Sequence, residues 1–260
     1  MSTATEETRV QAAVGSRMLV DFGLSTGVRA SLGHVSVRVP GEPDKFVVKG
    51  RGYRLDSIDR MRAEDLVVCN LEGELVESPP NIVPCFEVKI HSCIYKARPD
   101  VNSVVHVHPT YTVVMSVLGA PIHSMCNEGN RLVMDPIPVY PKQKIITTDA
   151  EGTEVARLLG QGSVELLFGH GAVTAGADME HSITNMIHLE HQAQMTYLAY
   201  SAAGPNHPYV SREQVLEFSA NPGGQYELPH FKQAIAMAGM PLYGGVWEAW
   251  YEDAAADVGL

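Results

Sequence analysis

The chain changes period within one short stretch, and that change restricts what it can fold into. Residues 86–97 space their apolar side chains as a helix does, with Ile90, Cys93, Ile94 and Ala97 on one face. Arg98-Pro99-Asp100 ends that pattern. The run Val104-Val105-His106-Val107-His108-Pro109 follows, with β-branched residues on both sides of the first histidine. A helix, a tight link and a strand in so short a span predict an α/β chain. Strand side chains alternate, so His106 and His108 point the same way and make half of a metal site. Buried strands also carry hydrogen-bonded histidines, so the rest of the chain must supply the other ligands.

The acid Glu87 stands at the start of the helix, four residues before His91 and therefore one turn along the same face. A third imidazole is offered by residues 164–176, which read as strand, tight turn, strand. His170 sits in that turn between Gly169 and Gly171, exposed to whatever lies above the sheet. Together His106, His108, His170 and Glu87 make a three- or four-ligand metal site, catalytic if one coordination position stays open. Imidazole plus carboxylate suits manganese, zinc, iron or cobalt. A rival pair, His188 and His191, lies on the longest predicted helix, residues 179–201, but needs a further ligand.

The other segments are read in the same way. Residues 6–23 form an amphipathic helix that stops at Gly23. The segment from Gly27 to Arg38 ends in a half-buried strand, in which Val35, Val37 and Val39 alternate with His34, Ser36 and Arg38. Those polar side chains either meet solvent or line a pocket. Residues 45–50 form a strand that runs into Lys49-Gly50-Arg51-Gly52-Tyr53, where two glycines permit a tight turn or a close approach to a ligand. Arg51 is there either a solvated turn residue or a bidentate carboxylate clamp. Residues 66–77 form a hairpin, residues 110–118 and 150–159 short helices, and Ser211 with Gln214 caps another. The aromatic tail, Tyr243, Trp247, Trp250 and Tyr251, packs on its own domain or on a neighbouring subunit.

A length of 260 residues can bury a sizeable core without staples. The formal charge of −11 argues against a nucleic-acid partner, which needs a basic face. No apolar window is long enough to span a membrane, and the polar, acidic start is not a secretory signal. Four cysteines without Cys-x-x-Cys spacing read as free thiols in a reducing cytoplasm.

The pattern Glu87-x-x-x-His91-x-x-Ile94-Tyr95-x-x-Arg98-Pro99-Asp100, then His106-x-His108-Pro109, then His170-Gly171 resembles the class II aldolase/adducin family over residues 17–201. The resemblance implies a single-domain α/β fold, a central and mainly antiparallel sheet flanked by helices. Residues 1–202 would be the catalytic domain and residues 203–260 a C-terminal extension on the same or a neighbouring subunit. It also implies one divalent metal per subunit on His106, His108 and His170, manganese or zinc ahead of iron or cobalt. Glu87 takes the place of the family's catalytic acid/base, with or without ligating the metal, and His91 a structural role. A homo-oligomer, a tetramer or a multiple of one, with sites between subunits is implied as well.

The departures from the family's sugar-phosphate members point to the substrate. Those members hold phosphate with a Gly-Asn-x-Ser strand, a Ser-Gly turn and a Ser-Ser pair before the acid. Here the positions read Gly33-His34-Val35-Ser36, Lys49-Gly50-Arg51-Gly52-Tyr53 and Cys85-Phe86. This looks more like the family's decarboxylases of hydroxylated aromatic dicarboxylates, such as 3,4-dihydroxyphthalate or 3-hydroxy-2-methylpyridine-4,5-dicarboxylate. The expected partner is thus a small aromatic carboxylate. Glu87 or His34 would move the proton, Lys49, Arg51 or Arg38 would pair with the second carboxylate, and Ser36 would line the pocket. The alternatives are an aldolase for an unphosphorylated 2-oxo acid, an iron-dependent oxygenase and a non-catalytic adducin-like protein.

Overall fold

The computed structural model describes residues 3–25, 28, 31–52, 56–220, 227–238 and 246–259. Gly27, Tyr53 and Tyr243 lie outside these residues. In chain order the elements are α1 (Thr3–Asp21), β1 (His34–Arg38), β2 (Lys45–Gly52), β3 (Leu66–Asn70), β4 (Leu75–Glu77) and β5 (Ile82–Pro84). Then come α2 (Val88–Ala97), β6 (Ser103–Val107), α3 (Thr110–Leu118), β7 (Val139–Tyr140), α4 (Asp149–Leu159), β8 (Val164–Leu167) and β9 (Gly171–Gly176). The chain closes with α5 (Met179–Ala203), α6 (Arg212–Ser219), α7 (Pro229–Ala238) and α8 (Val246–Asp257).

The strands form one sheet in the order β4-β3-β2-β1-β6-β9-β8-β7, with β5 pairing the far end of β2. Among the described strands the pairings are antiparallel, except for β7 on β8. The mainly antiparallel sheet expected from the sequence is therefore present, with helices on both faces.

Alternation along the strands sorts the two layers. Val35, Val37, Val105 and Val107 join Ala12, Leu19, Ile183 and Met186 of α1 and α5 in one core. Phe46, Val48, Val104 and Val173 join Ile90, Ile94 and Val155 of α2 and α4 in the other. The face of β1 that carries His34, Ser36 and Arg38 belongs to this second layer, and the whole strand is buried. The reading of β1 as half-buried is thus corrected: α2 lies over its polar face. Alternation tells two faces apart but not what covers each.

Two further readings change. Gly50, Arg51 and Gly52 do not turn; they continue β2 and pair with Pro84, Val83 and Ile82 of β5. Gly50 is needed for close approach, because a Cβ there would stand 2.2 Å from the Asp65 carbonyl oxygen. Ala97 is exposed at the end of α2 rather than part of its apolar face.

The hairpin of β3 and β4, the helices α3 and α4, and the Ser211–Gln214 capping box all form as the spacing predicts. The aromatic tail packs on its own chain: Trp247, Trp250 and Tyr251 lie against the first core, with Trp250 edge-on to Phe22 at 4.6 Å. Among the described residues no helix is long and apolar enough to cross a membrane. The four cysteines are free, and Cys69, Cys85 and Cys93 are buried.

Candidate metal centre

Four elements converge at one end of the central strands. His106 stands in β6, directly across from His34 of β1. His108 follows β6, just before Pro109 opens α3. His170 occupies the turn from β8 to β9. Glu87 is the residue at which α2 begins, where the positive end of the helix dipole favours a carboxylate. One ligand atom from each of Glu87, His106, His108 and His170 lies within 4.8 Å of every other. The sequence expectation that these four side chains meet is met in the geometry.

The chemistry of this donor set fits a cation. His106 Nδ1 faces the Ala172 carbonyl oxygen at 3.0 Å, so it carries a proton and donates it. That leaves Nε2 as a lone pair, 3.3 Å from Glu87 Oε2 and 3.1 Å from His108 Nε2. His170 Nε2 stands 3.5 Å from the same carboxylate oxygen. A proton or a metal ion must lie between such electron-rich atoms. The rings of His106, His108 and His170 meet edge-on at 67–72°, with centroids 4.6–5.0 Å apart.

Burial alone would raise the Glu87 carboxyl, but positive charge shared with the His106 and His170 imidazoles beside it holds it well below the usual carboxylate range. Its second oxygen, Oε1, accepts the Ile146 N–H at 2.9 Å. This fixes the carboxylate against the loop before α4. Gly171 completes the packing, because a Cβ there would meet the Val107 carbonyl oxygen at 2.4 Å and His108 Cδ2 at 2.8 Å.

His34 stands beside the centre, its ring centroid 5.1 Å from that of His106. Its Nδ1 meets His91 Nε2 at 2.7 Å, and His91 Nδ1 meets Ser36 Oγ at 2.7 Å. Ser36 Oγ in turn meets the Tyr95 hydroxyl at 2.7 Å. Burial lowers His34 well below its ordinary value and lowers His91 to about 3, so both rings are neutral. Ser36, expected to line a pocket, is thus fully buried as a link between two side chains of α2.

The expected carboxylate clamps are placed differently. Arg38 does not come to the centre: its guanidinium donates to the carbonyl oxygens of Val101, Tyr95 and Arg98 and stacks on the Tyr95 ring at 4.5 Å. It ties β1 to the end of α2. Lys49 is buried, with Nζ on the carbonyl oxygens of Ser31 and Asp56 at 2.6 and 2.8 Å. Arg51 remains partly exposed, 4.0 Å over the ring of Phe86, the neighbour of Glu87, and paired with Asp56 at 2.7 Å. His188 and His191 gather no third ligand among the described residues.

Three supporting contacts escape sequence reading. The Ala172 carbonyl orients His106, the Ile146 amide anchors Glu87, and Glu190 of α5 accepts the Tyr111 and Thr112 amides that open α3. The first two are backbone groups and leave no mark in a sequence. The link from His91 to Tyr95 carries one, the four-residue spacing Glu87, His91, Tyr95 that stacks side chains along a helix.

Comparison with known proteins adds independent information. Residues 11–197 match the family described as Class II Aldolase and Adducin N-terminal domain. The 3,4-dihydroxyphthalate decarboxylase of Arthrobacter keyseri is 30% identical over 204 residues, 74% of this chain and 78% of the relative. Human beta-adducin is 27% identical over 70% of this chain, which spans only 25% of adducin. Among solved structures, an aldolase II superfamily protein from Pseudomonas syringae superposes with a TM-score of 0.75 at 22% identity, over 98% of this chain and 95% of that one.

Proposed function

Because the chain belongs to the class II aldolase and adducin family, we propose that it is a divalent-metal-dependent decarboxylase of a hydroxylated aromatic dicarboxylate. The observation that carries this reading is the convergence of His106, His108, His170 and Glu87 within 4.8 Å. A scaffold protein has no use for four such donors. The missing phosphate donors, replaced by His34 and by Cys85-Phe86, support a substrate other than a sugar phosphate.

Manganese or zinc, ahead of iron or cobalt, would be held by the three imidazoles with Glu87 as a fourth donor. A bound ion would supply Lewis-acid stabilisation for the enolate-like charge that C–C cleavage leaves. The protein's own groups do the rest. Glu87 is placed to move a proton, since Oε1 is pinned by Ile146 while Oε2 faces the centre. Proton transfer of this kind contributes roughly a hundred- to ten-thousandfold. Arg51 is the cation best placed for the second carboxylate, by exchanging its partner Asp56 for substrate beside Phe86. Lys49 holds the Asp56 segment in place.

The assembly is read as a homotetramer or a multiple of one, with sites between subunits. Phe86, Ile145 and Phe168, exposed beside the ligand segments, support a covered face there. Residues 1–202 carry the catalytic domain and 203–260 an extension, and the free cysteines accord with a cytoplasmic enzyme.

The test is CO2 release from 3,4-dihydroxyphthalate and related ortho-hydroxy aromatic dicarboxylates, first with chelator and then with each metal restored. Metal-dependent release is the expected result. No release with any metal, together with pyruvate from unphosphorylated aldols, would make the protein an aldolase instead.

A further inference from the structure

The hydrogen bonds behind His34 run in one direction. Tyr95 is buried; its hydroxyl stands 2.7 Å from Ser36 Oγ, and the backbone of Val104 bonds to the same oxygen as a donor, which leaves Ser36 to accept the phenol proton. A buried phenol has to place its own proton, so Tyr95 donates to Ser36. The single Ser36 proton then goes to His91 Nδ1, 2.7 Å away. A neutral His91 that accepts at Nδ1 carries its proton on Nε2 and donates it to His34 Nδ1, also at 2.7 Å. His34, accepting at Nδ1, must in turn carry its proton on Nε2. The reverse order would run from His34 through His91 and Ser36 and leave the buried phenol proton without an acceptor. Such an orphaned donor would bear the full cost of its own desolvation.

Cys85 brings its thiol to the same two histidines, with ligand atoms within 4.8 Å of one another. The two histidines are nevertheless hydrogen-bonded to each other and do not form a second metal site with that thiol. Two imidazole nitrogens on one tetrahedral zinc ion, each at about 2.0–2.1 Å, stand roughly 3.3 Å apart. The observed 2.7 Å is a hydrogen-bond distance.

We propose that Tyr95, Ser36 and His91 are positioning residues that lock His34 in the Nε2–H tautomer, so that it offers a bound anionic substrate a hydrogen-bond donor and not a lone pair. This rests on the decarboxylase reading and deepens it. The Nε2 edge lies on the side of the ring away from His91, and the ring stands against that of His106. With that proton in place, His34 neither ligates a metal nor acts as a base through Nε2. Giving the proton away outright would leave an imidazolate, or a phenolate at Tyr95, and burial disfavours both charges. His34 therefore steadies negative charge on the substrate by a hydrogen bond, and moving the proton falls to Glu87.

Nitrogen-15 solid-state NMR of histidine-labelled protein, as purified and with zinc added, separates protonated from bare ring nitrogens. A His34→Gln protein assigns the signal. The wild type is expected to show the His34 proton on Nε2. Tyr95→Phe keeps the ring under Arg38, removes only the hydroxyl, and lets the chain reverse, so both tautomers are expected. His91→Phe is expected to lower kcat by roughly ten- to a hundredfold, the share of one charge-assisted hydrogen bond. KM and bound metal should change by less than about threefold, which a merely structural lesion would not spare. His91→Gln, whose amide can donate to His34 and accept from Ser36, should recover most of that loss.

A His34 proton on Nδ1 in the wild type, or an imidazolium, overturns the proposal. An unchanged His34 signal in Tyr95→Phe does so too, as does a wild-type kcat in His91→Phe. If no aromatic dicarboxylate is turned over, the NMR arms still decide the tautomer, and only the reading of the reaction fails.

Discussion

Glu87 Oε2 lies 3.3 Å from His106 Nε2, and the other nitrogen of that histidine is committed to the Ala172 carbonyl oxygen. The carboxylate and the imidazole therefore share whatever positive charge lies between them. Glu87→Gln keeps the shape and an oxygen donor but removes the charge and the proton acceptor. Bound metal is expected to weaken, and kcat for CO2 release to fall roughly a hundred- to ten-thousandfold. Metal analysis and steady-state kinetics on the same preparation check this. A variant with wild-type kcat would remove Glu87 from the chemistry.

The four donors were legible because each sits where a local rule places it. His106 and its neighbours alternate β-branched residues, His170 lies between two glycines, and Glu87 opens a helix of clear apolar spacing. The role of Arg38 was not legible. Alternation puts it on the same face as His34, but only the fold shows α2 over that face, with backbone carbonyls at 3.0–3.3 Å from its Nη2. Gly50 and Gly52 misled for a related reason. Glycine signals either a turn or a close approach. The pairing with β5, which fixes the second, depends on a three-residue strand that carries almost no pattern of its own. The link from Ser36 to His91 joins residues 55 positions apart, beyond the reach of any local period.

A metal at this centre binds the folded chain and not the unfolded one, so it must stabilise the fold. At a free concentration of about 100 times the dissociation constant the gain is about 2.7 kcal/mol. For a chain of this size, each kcal/mol moves Tm by about 2–4 °C. Chelation is thus expected to lower Tm by roughly 5–10 °C, and restored manganese or zinc to return it. His108→Ala should sit at the chelated Tm and respond to neither metal. Calorimetry decides this, and identical wild-type traces with and without chelator would dismiss the metal.

Gly171 offers a test of how tightly the centre is held. A methyl at this position would press on the Val107 carbonyl oxygen at 2.4 Å, on His108 Cδ2 at 2.8 Å and on His106 Cε1 at 3.1 Å. The first is backbone in a central strand and the others belong to rings with little room to move. Gly171→Ala is expected to destabilise by about 1–3 kcal/mol and to lose metal affinity as well. Denaturant unfolding and metal titration measure the two effects. Full metal content at wild-type stability would mean that β9 shifts freely, contrary to its five-residue pairing with β6.

Glu165 of β8 is fully buried, and its effect on stability has a definite sign. Burial, with Glu154 adding to it, pushes its carboxyl up to about 9 from an ordinary value of 4.5. The folded chain therefore holds a proton that the unfolded chain releases, and stability falls as pH rises between these values. The stability that goes with this proton is complete below pH 4.5 and is lost progressively up to about pH 9. The slope is about 1.4 kcal/mol per pH unit, which amounts to roughly 3 kcal/mol at pH 7. Glu165→Gln copies the neutral acid in shape and cannot ionise. It is expected to match the wild type near pH 4.5 and to exceed it increasingly above, by roughly 3 kcal/mol at pH 7. Urea unfolding of both proteins across this range gives the difference directly. A gap that does not widen with pH would show that the carboxylate is ionised in the fold, and so that water or a cation reaches β8.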